Sequence, residues 1–434
     1  MSLVPERRVG VGRQAAASAV VAVAAFAAYH GTLLPGLDLG DTASFQDAGG
    51  SREITPRQAY PLYFFLANIV VWLAGGEPAH GMNLASAISG AVACGLLTWL
   101  AIDLTGRATA GVVAGALFAT SYTFWSQAVI AEVYALHVVM LAAALIALLA
   151  WGRRPASRGR LAAFFAIYAL GFGNHLMMVL LAPAAMLFLA TTMPGGLRAL
   201  TAPRVVAIAV LCAAVGALQY AWNFQSLWTS PDPPPSLLEG LRTFWFDVTK
   251  SDWRRTMVLG VHEAALRPRL AMYAFDVRQQ FGITGIALAL LGTGALLRAS
   301  WRTGAMLVTA WLVAVIFAYT YNVGDAHVFF IPSHVVVALA AGAGAGLIVE
   351  WGRRVPAASA VIAIVLLLYP AWRAYDTWPA VDRSGDRRAE ALMADLAGGL
   401  PPERALLLAD LNWQLQNALD YHGRHVDPSL AFAR

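Results

Sequence analysis

Two carboxylates stand where long apolar runs begin or end, and a carboxylate there can do chemistry. Asp41 lies in Leu37-Asp38-Leu39-Gly40-Asp41-Thr42-Ala43-Ser44-Phe45, directly after the first apolar run. Glu132 opens another run, in Phe124-Trp125-Ser126-Gln127-Ala128-Val129-Ile130-Ala131-Glu132-Val133-Tyr134-Ala135-Leu136. An acid bordering a membrane segment is costly to desolvate and is a functional candidate by default. Asp41 suits a general base serving a lipid-linked donor. A second acid at the same depth could orient an acceptor or share a divalent metal ion with it. Structural alternatives stand beside these readings. Asp41 or Thr42 could cap a helix beginning near Ala43. Glu132 could cap the helix it opens, where the dipole favours a carboxylate.

Imidazoles and guanidinium groups complete the set. His175 follows Asn174 at a polar break inside the apolar block 161–192. A histidine there either satisfies local hydrogen bonds or gives a charge-assisted bond to a lipid phosphate. Tyr321-Asn322-Val323-Gly324-Asp325-Ala326-His327 adds Asp325 and His327, which are metal ligands by residue type. Arg242, Arg254, Arg255, Arg267 and Arg269 crowd one polar segment. Most of them read as a solvated surface, and one or two could grip a phosphate with the guanidinium fork. No P-loop, dinucleotide-binding glycine fingerprint, HExxH or GxSxG stands in a usable context.

The elements that must carry these groups are membrane helices. The chain has 434 residues, 59% hydrophobic and 13% charged, against roughly 25% charged in a soluble domain. Apolar runs long enough to cross about 30 Å of hydrocarbon predict an all-α polytopic membrane protein. About eleven spans are expected, near 14–34, 82–104, 108–124, 132–151, 161–174, 176–192, 205–227, 279–298, 305–321, 329–349 and 357–375. The first reads as a retained helix rather than a signal peptide.

Arginine placement orients them. With the N-terminus inside, the inner segments carry Arg7, Arg8, Arg13, Arg107, Arg153, Arg154, Arg158, Arg160, Arg198, Arg204, Arg298, Arg302, Arg353 and Arg354, while the short outer turns near 122–131, 174–175 and 322–328 carry none. That is the positive-inside pattern. It sets the acids on the extracytoplasmic face. A transmembrane domain 1–375 is expected, with a first outer loop 35–81 holding an interfacial helix at 60–74 and a second at 230–280. A short extracytoplasmic segment 376–434 follows, with a strand at 405–410 suggesting a small α/β module.

Lys250 is the only lysine. The preference for arginine reads as GC-rich, bacterial coding bias, and the arginines are not interleaved with aromatics as a nucleic-acid surface would require. No nucleic-acid partner is expected. Cys94 and Cys212 fall inside apolar spans and make no disulfide framework.

The Trp125-Ser126-Gln127…Glu132-Val133-Tyr134 string, with Gly40-Asp41-Thr42-Ala43, Tyr60-Pro61-Leu62-Tyr63, Asn83-Leu84-Ala85-Ser86-Ala87 and Gly171-Phe172-Gly173-Asn174-His175, resembles a bacterial membrane family. Its vertebrate relative is a transmembrane protein O-mannosyltransferase acting on IPT domains, and the family is similar to the C-type (GT-C) glycosyltransferases. The resemblance implies a GT-C-like fold in a bacterial inner membrane and transfer of a monosaccharide, mannose in the first instance. The donor would be a polyprenyl phosphate and the acceptor a protein Ser/Thr hydroxyl, or a lipid or glycan hydroxyl. It makes Asp41 the base and Glu132 a second acid of the same cavity. Donor and acceptor contacts are expected from Tyr60, Gln127, Tyr134, Asn174, His175, Arg254, Arg255, Asp325 and His327. No cofactor is strictly required, though a divalent metal could take part. One departure stands out: relatives carry His-Pro-Pro-Gly before Tyr-Pro-Leu, and this chain has Thr55-Pro56-Arg57-Gln58-Ala59. A lipid or solute transporter is the non-enzymatic alternative. The long asymmetric outer loops, and acids at the membrane edge rather than the midplane, speak against it.

Overall fold

A computed structural model of the protein describes residues 9–230, 232–353, 356–398 and 412–428. The expected strand at 405–410 lies outside the described residues, as do Arg7, Arg8 and Arg354. Every regular element among the described residues is helical. The first part comprises α1 (Val11–Gly31), α2 (Gly40–Asp47), α3 (Pro61–Leu73), α4 (Pro78–Thr105), α5 (Ala108–Ala119), α6 (Tyr122–Ala128), α7 (Tyr134–Gly152) and α8 (Arg158–Gly171). A 3-10 turn at Leu176–Leu181 leads into α9 (Ala182–Thr192), then α10 (Leu197–Leu200), α11 (Pro203–Ala217), α12 (Ala221–Thr229), α13 (Leu237–Val248) and α14 (Ser251–Met257). The remainder is α15 (Glu263–Ala299), α16 (Trp301–Thr320), α17 (Ile331–Gly352), α18 (Pro356–Val381), α19 (Arg388–Ala397) and α20 (Trp413–Tyr421).

Among the described residues, eight helices are long and apolar enough to cross a membrane. The chain is a multi-pass membrane protein. The other three expected spans, 108–124, 161–174 and 176–192, fall on shorter helices. At 108–124 the reason is local. Thr120 Oγ1 donates back to the Ala116 carbonyl at 3.0 Å and Ser121 Oγ to the Phe118 carbonyl at 2.7 Å. These hydroxyls satisfy carbonyls that a continuing helix would have used, so α5 ends and α6 starts afresh.

Packing follows side-chain size. α17 is the most buried span, and its Ala338–Gly346 stretch carries almost no side-chain bulk. A Cβ on Gly292 of α15 would collide with the Ala340 carbonyl, and one on Gly344 with the Leu288 carbonyl. Small residues let backbones approach where lipid gives no hydrophobic drive for association. The outward faces of α11 (Val210, Leu211, Val215) and α18 (Val361, Ile364, Leu368) remain exposed and apolar, as lipid contact requires. On α3, Phe65, Leu66, Ile69, Trp72 and Leu73 form one exposed apolar face.

The two ends of the bundle differ in charge. Arg153 pairs with Asp103 at 2.6 Å, Arg107 with Glu350 at 3.4 Å and Arg353 with Glu350 at 3.0 Å. Gln14, near the start of α1, donates to the Trp99 carbonyl at 3.0 Å. These contacts gather the arginine-bearing segment ends at one end, and the Asp41 segment lies at the other.

The chain after α18 folds back over α2. Arg383 N–H donates to the Thr32 carbonyl at 3.0 Å, and Arg383 pairs with Asp38 at 3.2 Å. Asn417 Nδ2 donates to the Gly40 carbonyl at 2.9 Å, and Arg424 pairs with Asp47 at 2.8 Å. Leu37, Ala43, Met393, Leu419 and Tyr421 form a small apolar core beneath these bonds.

Candidate active site

Asp41 sits in the first turn of α2. That helix begins one residue before it, at Gly40 (φ +69°), and Leu39 holds the capping position without a side-chain bond. The expected cap by Asp41 or Thr42 is therefore not made. The carboxylate is open to solvent, yet enough protein surrounds it that desolvation raises its pKa above the ordinary aspartate value. A group both accessible and crowded lines an open recess. Lys250 pulls that pKa back down and Asp325 pushes it further up.

Glu132 lies in the turn before α7, whose capping position is Val133 with no side-chain cap. Capping does not explain this acid either. Its peptide is clamped by Ser86: Ser86 Oγ donates to the Glu132 carbonyl at 3.2 Å and accepts the Glu132 N–H at 3.1 Å. Burial raises its pKa well above the glutamate range, and Asp41 and Asp325 add to the effect. Two carboxyls that repel each other's ionisation divide the roles. Glu132 holds its proton more tightly and Asp41 is the readier base.

His175 is fixed by its own backbone. Its Nδ1 accepts the Met177 N–H at 3.0 Å, which leaves the proton on Nε2 by inference from that bond. Burial, then His137 and Lys250, lower its pKa well below the ordinary value. The ring is thus a neutral N–H donor, not the imidazolium that a charge-assisted bond to phosphate would need. It stacks on Tyr60 (centroids 5.7 Å apart, 24° between planes) and lies 5.9 Å from the Tyr134 ring. Asn174 donates to the Val133 carbonyl at 3.1 Å, while its buried Oδ1 has no partner among the described residues. The Leu62 N–H donates to the Gly173 carbonyl at 2.9 Å, tying the start of α3 to the His175 turn.

Asp41, Glu132, Tyr60, Tyr134, Asn174, His175 and Asp325 therefore converge from five separate segments. Other expected residues do not join them. Arg254 and Arg255 lie exposed on α14, and His327 is exposed beside Asp325. Gln127, half-buried on α6, has no hydrogen bond to the group among the described residues. No three His, Cys, Asp or Glu side chains among the described residues come together to hold a metal ion.

The cation of the recess is Lys250, which the sequence reading passed over. Its ammonium lies 5.2 Å from the Tyr60 ring centroid and 5.5 Å from that of Trp253. Burial lowers its pKa and Asp41 supports the charge. The signal was available: a single lysine in an otherwise arginine-only basic set.

Arg57, in the segment that departs from His-Pro-Pro-Gly, forks onto Asp252 (2.9 and 2.8 Å) and lies 4.2 Å from the Trp253 ring centroid. It latches the first loop to the α13–α14 turn that carries Lys250. Ala59 and Tyr60 both take left-handed backbone (φ +53° and +51°). A side chain there costs about 1–2 kcal/mol per residue.

Residues 57–195 match the family described as Protein O-mannosyl-transferase TMEM260 N-terminal domain. The mouse Protein O-mannosyl-transferase TMEM260 is 32% identical over 139 residues, which make up 31% of this chain and 19% of the mouse protein. Glu132, Tyr60 and His175 fall inside that segment and Asp41 outside it. The fold is similar to that of ArnT from Cupriavidus metallidurans bound to undecaprenyl phosphate (14% identity, 92% of this chain and 84% of that one, TM-score 0.64). It is also similar to the Archaeoglobus fulgidus oligosaccharyltransferase in the apo form (15% identity, 88% and 58%, TM-score 0.55).

Proposed function

We propose that this chain, a GT-C-fold membrane protein related to the TMEM260 protein O-mannosyltransferase family, is a glycosyltransferase. It moves a monosaccharide, mannose in the first instance, from a polyprenyl-phosphate carrier to a Ser/Thr hydroxyl of a protein. The observation that carries the reading is an accessible carboxylate, Asp41, electrostatically coupled to a half-buried cation, Lys250, whose ammonium lies 5.2 Å from the Tyr60 ring centroid. The arginine asymmetry supports an extracytoplasmic site in a bacterial inner membrane, with the N-terminus inside.

Asp41 takes the proton of the acceptor hydroxyl as its oxygen attacks the anomeric carbon. The bond from that carbon to the phosphate oxygen breaks, and the electron pair leaves with the lipid phosphate. Lys250 balances the charge of that phosphate, and the neutral His175 Nε2–H is a further donor toward it. Glu132, the acid that holds its proton more tightly, donates to a sugar or acceptor oxygen when protonated. General-base help is worth about 10²–10⁴-fold, and preorganised charge stabilisation of the leaving group is often the larger part. The raised pKa of Asp41 makes it a better base than an ordinary aspartate, whose pKa is about 3.9.

Purified protein incubated with polyprenyl-phosphate mannose and periplasmic extract should yield hexose-modified serine or threonine peptides, mapped by mass spectrometry. Hexose on a lipid or glycan instead keeps the chemistry and changes the acceptor. No transfer to any fraction, with intact folding, removes the proposal.

A further inference from the structure

On the Asp41 end of the bundle, α6, α15 and α18 line a half-open pocket of about 480 Å³ that contains none of the residues assigned above. Its lining includes Tyr122, Phe275, Arg278, Gln279, Arg373 and Asp376. The volume falls in the range of small-ligand sites.

α15 breaks just past the lining residues. At Gly282 the backbone turns left-handed (φ +61°, ψ 175°), so the carbonyls of the preceding turn lose their helical partners. α18 supplies replacements: Tyr369 OH donates to the Phe281 carbonyl at 2.6 Å, and Arg373 Nη2 donates to the Gln279 carbonyl. A buried polar network adjoins the lining residues on α15 and α6. His334 Nε2 meets Asp276 Oδ2 at 2.6 Å, Asp276 Oδ1 accepts from Gln280 Nε2 at 2.8 Å, and Gln280 Oε1 accepts the Thr123 N–H at 2.9 Å.

Among the lining residues the cations outnumber the acids. Arg373 is only 7% exposed. It pairs with Asp376 at 2.9 Å, and its buried Nε has no partner among the described residues. Arg278 is exposed on the neighbouring wall and has no ion pair among the described residues. The lining thus carries two guanidinium groups and one carboxylate, while the neighbouring Asp276 carboxylate is taken up by His334 and Gln280. Phe275 of the lining is 65% exposed, and Trp372 and Tyr375, sequence neighbours of the lining residues Arg373 and Asp376 on α18, are 55% and 82% exposed. Exposed aromatics of this kind mark the interfacial depth of a bilayer, where headgroups lie.

We propose that this pocket binds a phosphate group, gripped by Arg278 and backed by Arg373, as a site separate from the Asp41 recess. Its position at a headgroup-depth aromatic rim favours the phosphate of an anionic lipid over free phosphate. Arg278 is free to fork onto two phosphate oxygens, and Phe275 and Tyr122 give the adjoining chain or glycerol an apolar wall. The site stands whether or not the sugar-transfer reading holds, because it uses none of that reading's residues.

The test uses the full chain in nanodiscs of mixed phosphatidylglycerol and phosphatidylcholine, released for native mass spectrometry. Two variants report: Arg278→Gln, which removes the uncommitted charge, and Ala380→Trp, which fills the pocket from an exposed wall position without touching the polar network. The wild type should retain phosphatidylglycerol in preference to phosphatidylcholine, and each variant should lose that retention about tenfold, the scale of one charge-assisted bond. Competition by millimolar inorganic phosphate in the wild type alone supports the site with free phosphate as its ligand; no competition supports the lipid. Equal retention of both lipids by the wild type, or unchanged retention in both folded variants, overturns the proposal.

Discussion

The Lys250 ammonium stands 5.2 Å from the centre of the Tyr60 ring, and the same ring stacks on His175. One tyrosine thus joins the chain's single lysine, on the second long loop, to the α8–α9 break. Asp41 raises the pKa of that phenol and Lys250 lowers that of Asp41. The recess is a coupled set, and its members can be separated by substitution.

The two acids should respond differently to amide replacement. Asp41→Asn removes the base and should cost about 10²–10⁴-fold in transfer. Glu132→Gln keeps a neutral donor where a protonated carboxyl stood and should cost about tenfold or less. Single-turnover rates on membrane-extracted protein distinguish them. Equal losses would sink the division of roles.

Lys250→Met should act on both donor affinity and pH profile. Asp41 works only when ionised, so activity falls as pH drops through its pKa. Lys250 holds that pKa down. Without the ammonium the acid limb of kcat/KM should move to higher pH, and KM for the donor should rise. A limb that stays in place separates Lys250 from Asp41.

The Arg57–Asp252 latch should hold through the physiological range. Its arginine pulls the exposed Asp252 carboxyl down to about 2. The unfolded value is about 3.9, so the contribution is present above that pH and lost as pH falls toward 2. Arg57→Gln should change the melting temperature little, because solvent screens an exposed pair, yet raise KM by loosening the loop that carries Lys250. Exchanging the two charges (Arg57→Asp with Asp252→Arg) should recover part of that KM.

Ala59→Gly should stabilise the protein. The left-handed backbone at Ala59 costs about 1–2 kcal/mol that glycine avoids, offset by about 0.5–1 kcal/mol of extra unfolded-chain freedom. A net gain near 0.5 kcal/mol is expected, read as a raised unfolding midpoint in detergent. A lowered midpoint would contradict the left-handed assignment.

The closing segment should loosen with rising pH. Asp47 raises the pKa of His425. A histidine raised in the folded state gives its full stabilisation below the unfolded value, about 6.5, and loses it as pH climbs through the folded one. Hydrogen-exchange protection factors across α20, corrected for the intrinsic base-catalysed rate, should therefore fall as pH climbs through the folded value, and His425→Gln should flatten that dependence.

The sequence by itself determined the membrane character, the alternation of arginine-rich and arginine-free ends, and which acids stand at span boundaries. These are local quantities, because hydropathy is summed over one helix length and charge over one short turn. It misjudged 108–124, where two back-bonding hydroxyls end a helix that hydropathy continues. Tertiary structure alone decided which polar groups meet. Asp41 and Lys250 lie more than two hundred residues apart, and no local pattern carries that distance. Burial by other helices also set the charge states, making His175 neutral and separating Glu132 from Asp41. A desolvation cost belongs to the packed environment, and the side chain's own sequence neighbours do not specify it.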